Sequence, residues 1–200
     1  MRRVKPAKSL LHQVGRAVAD YSMIQDGDRI MLGLSGGKDS LSLLHILLHL
    51  QRHAPINFTV AALTVDPQMD TFKPEVLRPY LEKLGVEWFL VAQPIMEQAE
   101  KHMQGDSFCS WCARMKRGVM YTTLRNEGYN VLALAQHLDD LAESFMMSIF
   151  HEGRLNTMKA NYKIEKGDLR VIRPLVYARE RQLADFAQEA ELPIVVENCP

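Results

Sequence analysis

Residues Ser35, Gly36, Gly37, Lys38, Asp39 and Ser40 are consecutive and combine two glycines, a cation, a carboxylate and two hydroxyls. Two glycines let a backbone turn tightly and approach an anion. The N–H groups of such a turn and of a helix that follows it point outward, and Lys38 and the hydroxyls of Ser35 and Ser40 add donors. The loop therefore fits a pyrophosphate group. It is not a Walker A loop, which needs a longer interval between its glycines before Gly-Lys-Ser/Thr, so transfer of a γ-phosphoryl group is not the implied chemistry. A surface turn with a chance lysine is the plain alternative, opposed by the apolar strand before the loop and the apolar helix after it.

Three carboxylates accompany this loop. Asp66 ends a predicted strand, and Asp139 and Asp140 open a predicted helix, so all three fall on one rim of a parallel sheet. One of them suits magnesium. Asp139 and Asp140 are also ordinary first-turn residues, favoured by the helix dipole alone.

Cys109 and Cys112 form a CxxC with Ser110 and Trp111 between them, directly before a predicted helix that carries Arg114, Lys116 and Arg117. A helix start and three cations favour thiolate. A redox dithiol, two ligands of zinc and two ligands of an iron-sulfur cluster all fit. Cys199 follows the last predicted strand and is either a third ligand on the same rim or a buried structural thiol. His102 and His137 are the remaining ligand candidates.

These residues need elements to hold them. Ser9 to Gln25 has helical apolar spacing, with Ser9 as its cap. Strands are predicted over 29–34, 58–65, 86–91, 131–135, 170–172 and 194–196, and helices over 39–52, 74–84, 113–126, 139–150 and 179–190. The alternation predicts an α/β fold, a doubly wound parallel sheet with helices on both faces. Its ligand crevice lies at the carboxyl ends of the strands, where the loop also lies. Residues 151–169 read as a mobile loop.

The 200 residues, 47% hydrophobic, suit one domain spanning 1–200. Within it we distinguish an N-terminal helix region, 1–26, and an inserted CxxC and basic-helix segment, 105–127. Lys plus Arg equals Asp plus Glu at 24 each, so attraction for nucleic acid must be local. Residues 1–16 hold five cations and no acid, and residues 154–181 hold eight against three acids. An odd cysteine count and no apolar leader speak against a secreted disulfide framework and for the cytoplasm. No apolar stretch approaches a membrane span.

Ser35 to Ser40 resembles the signature of the PP-loop ATP pyrophosphatases, which cleave ATP between the α and β phosphates and leave the substrate adenylated. The resemblance implies ATP, with Mg2+, at this loop. Asp66, by its place on the rim, and His137 are read as nucleotide contacts, and Lys38, Asp39, Asp139 and Asp140 as the catalytic residues. His137, Leu138, Asp139 and Asp140 match the family's His-x-Asp-Asp, while Gln136 stands where a second histidine is common. The whole pattern, with the CSWC pair, Arg173-Pro174-Leu175, Tyr177-x-Arg179-Glu180 and the closing cysteine, is similar to the tRNA 2-thiocytidine synthetases. In that family three cysteines at these places hold a [4Fe-4S] cluster whose fourth iron carries sulfur, and the target is cytidine 32 of tRNA. Members usually run on past this point. The resemblance implies metal ligation by Cys109, Cys112 and Cys199, tRNA as partner, and a cysteine desulfurase or sulfide as sulfur donor. Homodimerisation is left open, as are a uridine thiolase, a lysidine-synthetase-like ligase and a non-catalytic iron-sulfur and nucleotide sensor.

Arg114, Lys116 and Arg117 read as RNA phosphate contacts, against an ordinary solvated face. Trp111 either stacks on a base or caps the cysteine loop. Met146 and Met147 read as core filler, and His45, His49 and His53 as structural or exposed.

Overall fold

Successive residues of the first strand bury on opposite faces: Ile30 and Leu32 enter one core, and Met31 between them enters another. The same two-residue period divides Ala62 from Ala61 and Leu63, Val131 and Ala133 from Leu132, and Ile172 from Val171. Strands buried on both faces in this way belong to a parallel sheet covered by helices on both sides. The computed structural model describes residues 5–69, 71–102 and 107–195, with the side chains of 100–102 excepted.

The strands are β1 (Asp28–Gly33), β2 (Phe58–Asp66), β3 (Trp88–Ala92), β4 (Val131–Ala133), β5 (Asn161–Lys163) and β6 (Arg170–Ile172). They form one sheet in the order β3-β2-β1-β4-β6-β5, parallel except for β5. One face is covered by α1 (Lys8–Asp20), α2 (Lys38–His53), α3 (Arg78–Leu84) and α7 (Glu180–Glu189), which supply most of the larger core. The other carries α5 (Phe108–Asn126), whose Leu124 joins Met31, Leu63 and Leu132. Ile95 of α4 (Ile95–His102) packs beside Val65 and Cys112. The helix α6 (Leu138–Met147) runs into a π-turn at Ser148–Glu152. Among the described residues no helix is long and apolar enough to cross a membrane.

Several expectations are corrected. The first helix begins one residue before Ser9, at Lys8, and has no side-chain cap. The helix expected from residue 113 begins at Phe108, because Ser107 caps it by accepting the Ser110 N–H at 3.3 Å. Cys109 and Cys112 therefore lie within the first turns of α5, not ahead of it. The stretch 151–169 contains β5, which pairs with β6 as an antiparallel edge. Ile194 and Val195 are not in a strand, and residue 196 lies outside the described residues. Met146 and Met147 are 53% and 61% exposed, so they do not fill the core. His45 is buried and 2.6 Å from the Tyr80 hydroxyl, while His49 and His53 stack on each other nearer the surface.

The basic stretch 154–181 is not a single positive surface either. Arg170 pairs with the buried Asp28 at the amino-end rim of the sheet. Arg173 is buried, donating to the Lys159 carbonyl at 2.6 Å and to Gln136 Oε1 at 3.0 Å.

Candidate functional site

The strand order reverses between β1 and β4, so the segments leaving these two neighbours diverge and open a crevice at their carboxyl ends. A cavity of about 340 Å³ lies there, lined by Leu34 and Ser35 after β1, by Ala135 and Gln136 after β4, and by Asp39 and Asp140. Gly36 turns the chain with φ +87°, a conformation that side chains disfavour. Ser35 Oγ accepts the Gly37 N–H at 3.3 Å and lies 3.2 Å from Ser40 Oγ, which also contacts the Gly37 carbonyl at 3.0 Å. The hydroxyls thus brace the turn. Gly37 is the N-cap of α2 and offers no side chain to the first helical amides, which leaves them for an anion. Asp39 Oδ1 is buried without a hydrogen-bond partner among the described residues, in a carboxylate that lines the cavity. An orphaned carboxylate oxygen beside a phosphate-type loop fits a nucleotide accompanied by a divalent cation.

Three helix N-termini meet beside the loop. Lys38 Nζ lies 2.9 Å from Glu180 Oε1 and 3.2 Å from Asp39 Oδ2. The Glu180 N–H donates to Asp139 Oδ2 at 2.7 Å, and Arg179 Nη1 approaches Asp139 Oδ1 at 3.6 Å. That backbone N–H, with the nearby guanidinium, holds the Asp139 carboxyl below its ordinary range. His137 is buried and caps α6 reciprocally: Asp140 accepts the His137 N–H at 2.9 Å, and Asp140 N–H donates to His137 Nδ1 at 3.4 Å.

The predicted carboxylates therefore separate. Asp140 and Asp39 face the cavity, Asp139 secures the start of α7, and Asp66 closes its own turn by accepting the Gln68 N–H at 2.8 Å. Glu180, Gln136 and Val195, whose N–H donates to the Gly36 carbonyl at 2.9 Å, were not assigned to the site by sequence. Glu180 stood only as part of a matching run, and no local pattern connects it with Lys38.

On α5, Cys109, Cys112, Lys116 and Met120 recur at i, i+3, i+7 and i+11, the spacing of one helix face. Lys116 and Met120 line the nucleotide-sized cavity, so the cysteines lie farther along a stripe that enters it. Cys112 is buried beside Val65 and Ile95, Cys109 is exposed, and the two are not joined to each other by a disulfide. Two thiols one turn apart at a helix N-terminus suit soft-metal ligation. Cys199 and the side chain of His102 lie outside the described residues. Among the described residues no three His, Cys, Asp or Glu side chains converge as a ligand group.

The three cations of α5 do not form one patch. Lys116 is half-buried in the cavity wall, whereas Arg114 and Arg117 are exposed, and Arg114 borders a separate groove against β3. Trp111 packs with Val65, Ile95 and Cys112, its indole N–H buried and without a hydrogen-bond partner among the described residues.

The PP-loop domain matches residues 7–198. A tRNA-cytidine(32) 2-sulfurtransferase of Geobacter sulfurreducens is 43% identical over 96% of this chain and 76% of its own length. One of Pelobacter propionicus is also 43% identical, over 100% of this chain and 75% of its own. Among solved structures, a U34-tRNA thiolase, NcsA, from Methanococcus maripaludis with its [4Fe-4S] cluster superposes with a TM-score of 0.76 at 20% identity, covering 100% of this chain and 76% of that one. The last likeness is one of fold. The chain belongs to the PP-loop domain family and, within it, to the family of the tRNA-cytidine(32) 2-sulfurtransferases.

Proposed function

We propose that this chain is an ATP-dependent tRNA sulfurtransferase that adenylates cytidine 32 and replaces its 2-oxygen with sulfur. The observation that carries this reading is the convergence of a phosphate loop and a cysteine-bearing helix stripe on one cleft at the sheet's switch point. The substrate is supported by relatives at 43% identity whose names specify it.

ATP lies with its phosphates over Ser35–Ser40. The cytidine O2 attacks the α-phosphorus, the α–β bridge breaks, and pyrophosphate leaves. Lys38 and the first amides of α2 offset the charge on the departing pyrophosphate, while Asp39 and Asp140 would hold Mg2+. A sulfur nucleophile then adds at the activated C2, and AMP leaves with the original oxygen. Cys109, Cys112 and Cys199 would hold a [4Fe-4S] cluster, which supplies a sulfur-carrying iron. Asp139 and His137 act through position, fixing the starts of α7 and α6.

Sulfide or a cysteine desulfurase provides the sulfur, the whole of 1–200 works as one PP-loop domain, and the setting is the cytoplasm, with homodimerisation compatible. Nucleoside mass spectrometry of tRNA from a strain lacking the gene tests the reading, with loss of 2-thiocytidine expected. Complementation by Lys38→Ala or Asp39→Ala should fail to restore it. Undiminished 2-thiocytidine in the deletion strain would overturn the assignment.

A further inference from the structure

A second cavity, of about 670 Å³, adjoins the nucleotide cleft. Gln136 and Asp140 line both, so a group seated in the second cavity borders the position of the nucleotide phosphates. One wall is a face of α6 that presents Asp140, Glu143, Ser144 and Met147 at i, i+3, i+4 and i+7. Thr157 and Met158 also line the cavity, and their segment is tied to α6 where Thr157 Oγ1 donates to the Leu141 carbonyl at 2.7 Å.

The three carboxylates of this cavity differ in what occupies them. Asp140 accepts the His137 N–H, and Glu152 lies 3.5 Å from the Ser148 hydroxyl. Glu143 makes no hydrogen bond or ion pair among the described residues. It is exposed, yet it faces a cavity that also offers the apolar surfaces of Met147 and Met158. An unengaged carboxylate in a cavity that also has apolar lining suits a planar heterocycle that carries a hydrogen-bond donor on its edge.

Cytosine is such a ring. Its O2 must face the nucleotide, and its N4 amine then points away along the same edge. Asp140, bordering the nucleotide, and Glu143 are three residues apart, about 4.5 Å along the helix axis. That is comparable to the span from O2 to N4 across a cytosine. A carboxylate only accepts, so it matches the N4 amine and opposes the O4 of a uracil.

We propose that the second cavity is the base subsite and that Glu143 selects cytosine by accepting a hydrogen bond from its N4 amine. This rests on the reading that the substrate is a tRNA cytidine.

The test uses the full chain with ATP, Mg2+ and tRNA carrying C or U at position 32, and follows RNA-dependent pyrophosphate release, a readout independent of sulfur delivery. Wild type should prefer C. Glu143→Gln should reduce the C-over-U ratio of kcat/KM by about tenfold, since the amide can turn to donate to O4, and Glu143→Ala should reduce it similarly. ATP affinity should be unchanged in both. A ratio within twofold of wild type in both variants would overturn the inference, as would loss of ATP affinity, which would place Glu143 in the nucleotide site. Wild-type release that does not respond to C-bearing tRNA would remove the cytidine reading itself, and this inference with it.

Discussion

Lys38 Nζ lies 2.9 Å from Glu180 Oε1, a contact between the first residues of α2 and α7 that joins two helix N-termini across the phosphate loop. The cation is thus engaged by two protein carboxylates, those of Glu180 and Asp39. A nucleotide must draw Lys38 from Glu180, or share it.

Burial opposes the charge on Lys38, but its hydrogen bonds and charge interactions with Glu180 and Asp39 outweigh that opposition and hold the ammonium above its ordinary value of 10.5. A raised pKa keeps the side chain protonated to higher pH. Glu180→Gln removes one of the two anions, so the Lys38 pKa should fall. Amine-labelling mass spectrometry across pH should then show Lys38 reacting at lower pH in the variant than in wild type. The same change should tighten ATP binding by about two- to threefold, the scale of an exposed ion pair. An unchanged labelling profile would mean that Glu180 does not govern Lys38.

How far the site was legible in sequence depends on the range of the contacts. Ser35–Ser40 could be read because its glycines, hydroxyls and lysine are contiguous and the apolar runs on either side mark a strand and a helix. Ile30, Leu32 and their neighbours made the buried sheet legible in the same local way. The Lys38–Glu180 contact, by contrast, joins residues brought together only by the packing of α2 on α7. The start of α5 was misread because Phe108, Cys109 and Trp111 give no strong helical pattern, while the deciding signal is the single cap Ser107. Asn161, Tyr162 and Lys163 are too few to display the alternation of a strand, and β5 depends on its pairing with β6. The exposure of Met146 and Met147 had no sequence signal, since composition marks them as apolar wherever they point.

The split of the α5 cations gives a prediction different from that of a single RNA patch. Arg114 and Arg117 are exposed three residues apart, and Lys116 lines the nucleotide cavity. Replacing both arginines by alanine should weaken tRNA binding and flatten the slope of log affinity against log salt by about 1.4, as expected for two contacts to single-stranded phosphates. Lys116→Ala should leave that slope nearly unchanged and instead weaken ATP binding. Filter binding across a salt series distinguishes the two. Equal slopes for the double variant and wild type would return the arginines to an ordinary solvated face.

At the opposite rim of the sheet, Asp28 is 4% exposed. It accepts the Gln25 N–H at 2.7 Å and the Asn130 amide at 2.9 Å, and it pairs with Arg170. Removing the guanidinium leaves a buried carboxylate short of its cation. Arg170→Met should therefore cost about 3 kcal/mol of stability in urea denaturation, with little change in ATP binding because the pair is remote from the loop. Asp28→Asn combined with Arg170→Met should recover part of that loss. A single-variant cost below about 1 kcal/mol would show that water or neighbouring groups replace the pair.

The carboxyl-terminal segment is coupled to the nucleotide loop through Gly36. The Val195 N–H donates to the Gly36 carbonyl at 2.9 Å, and a Cβ at Gly36 would lie 3.0 Å from the Val195 Cβ. Gly36→Ala should incur two separable penalties: the left-handed φ of +87°, which costs a non-glycine residue about 1–2 kcal/mol, and the collision with Val195. Stability in urea should fall by at least the first amount, and ATP affinity should fall because the loop shifts. Val195→Ala keeps the Cβ but removes the two methyl groups, one of which lies 3.5 Å from the added position, so the segment can settle away from the loop. Gly36→Ala should consequently cost less in a Val195→Ala background than in wild type, a favourable coupling in a double-mutant cycle. Recovery should be partial, because the strain in φ persists. Strict additivity of the two substitutions would show that the segment bearing Val195 does not constrain the loop. Coupling would show that a change in the nucleotide loop is felt four residues before Cys199, the proposed third thiol ligand.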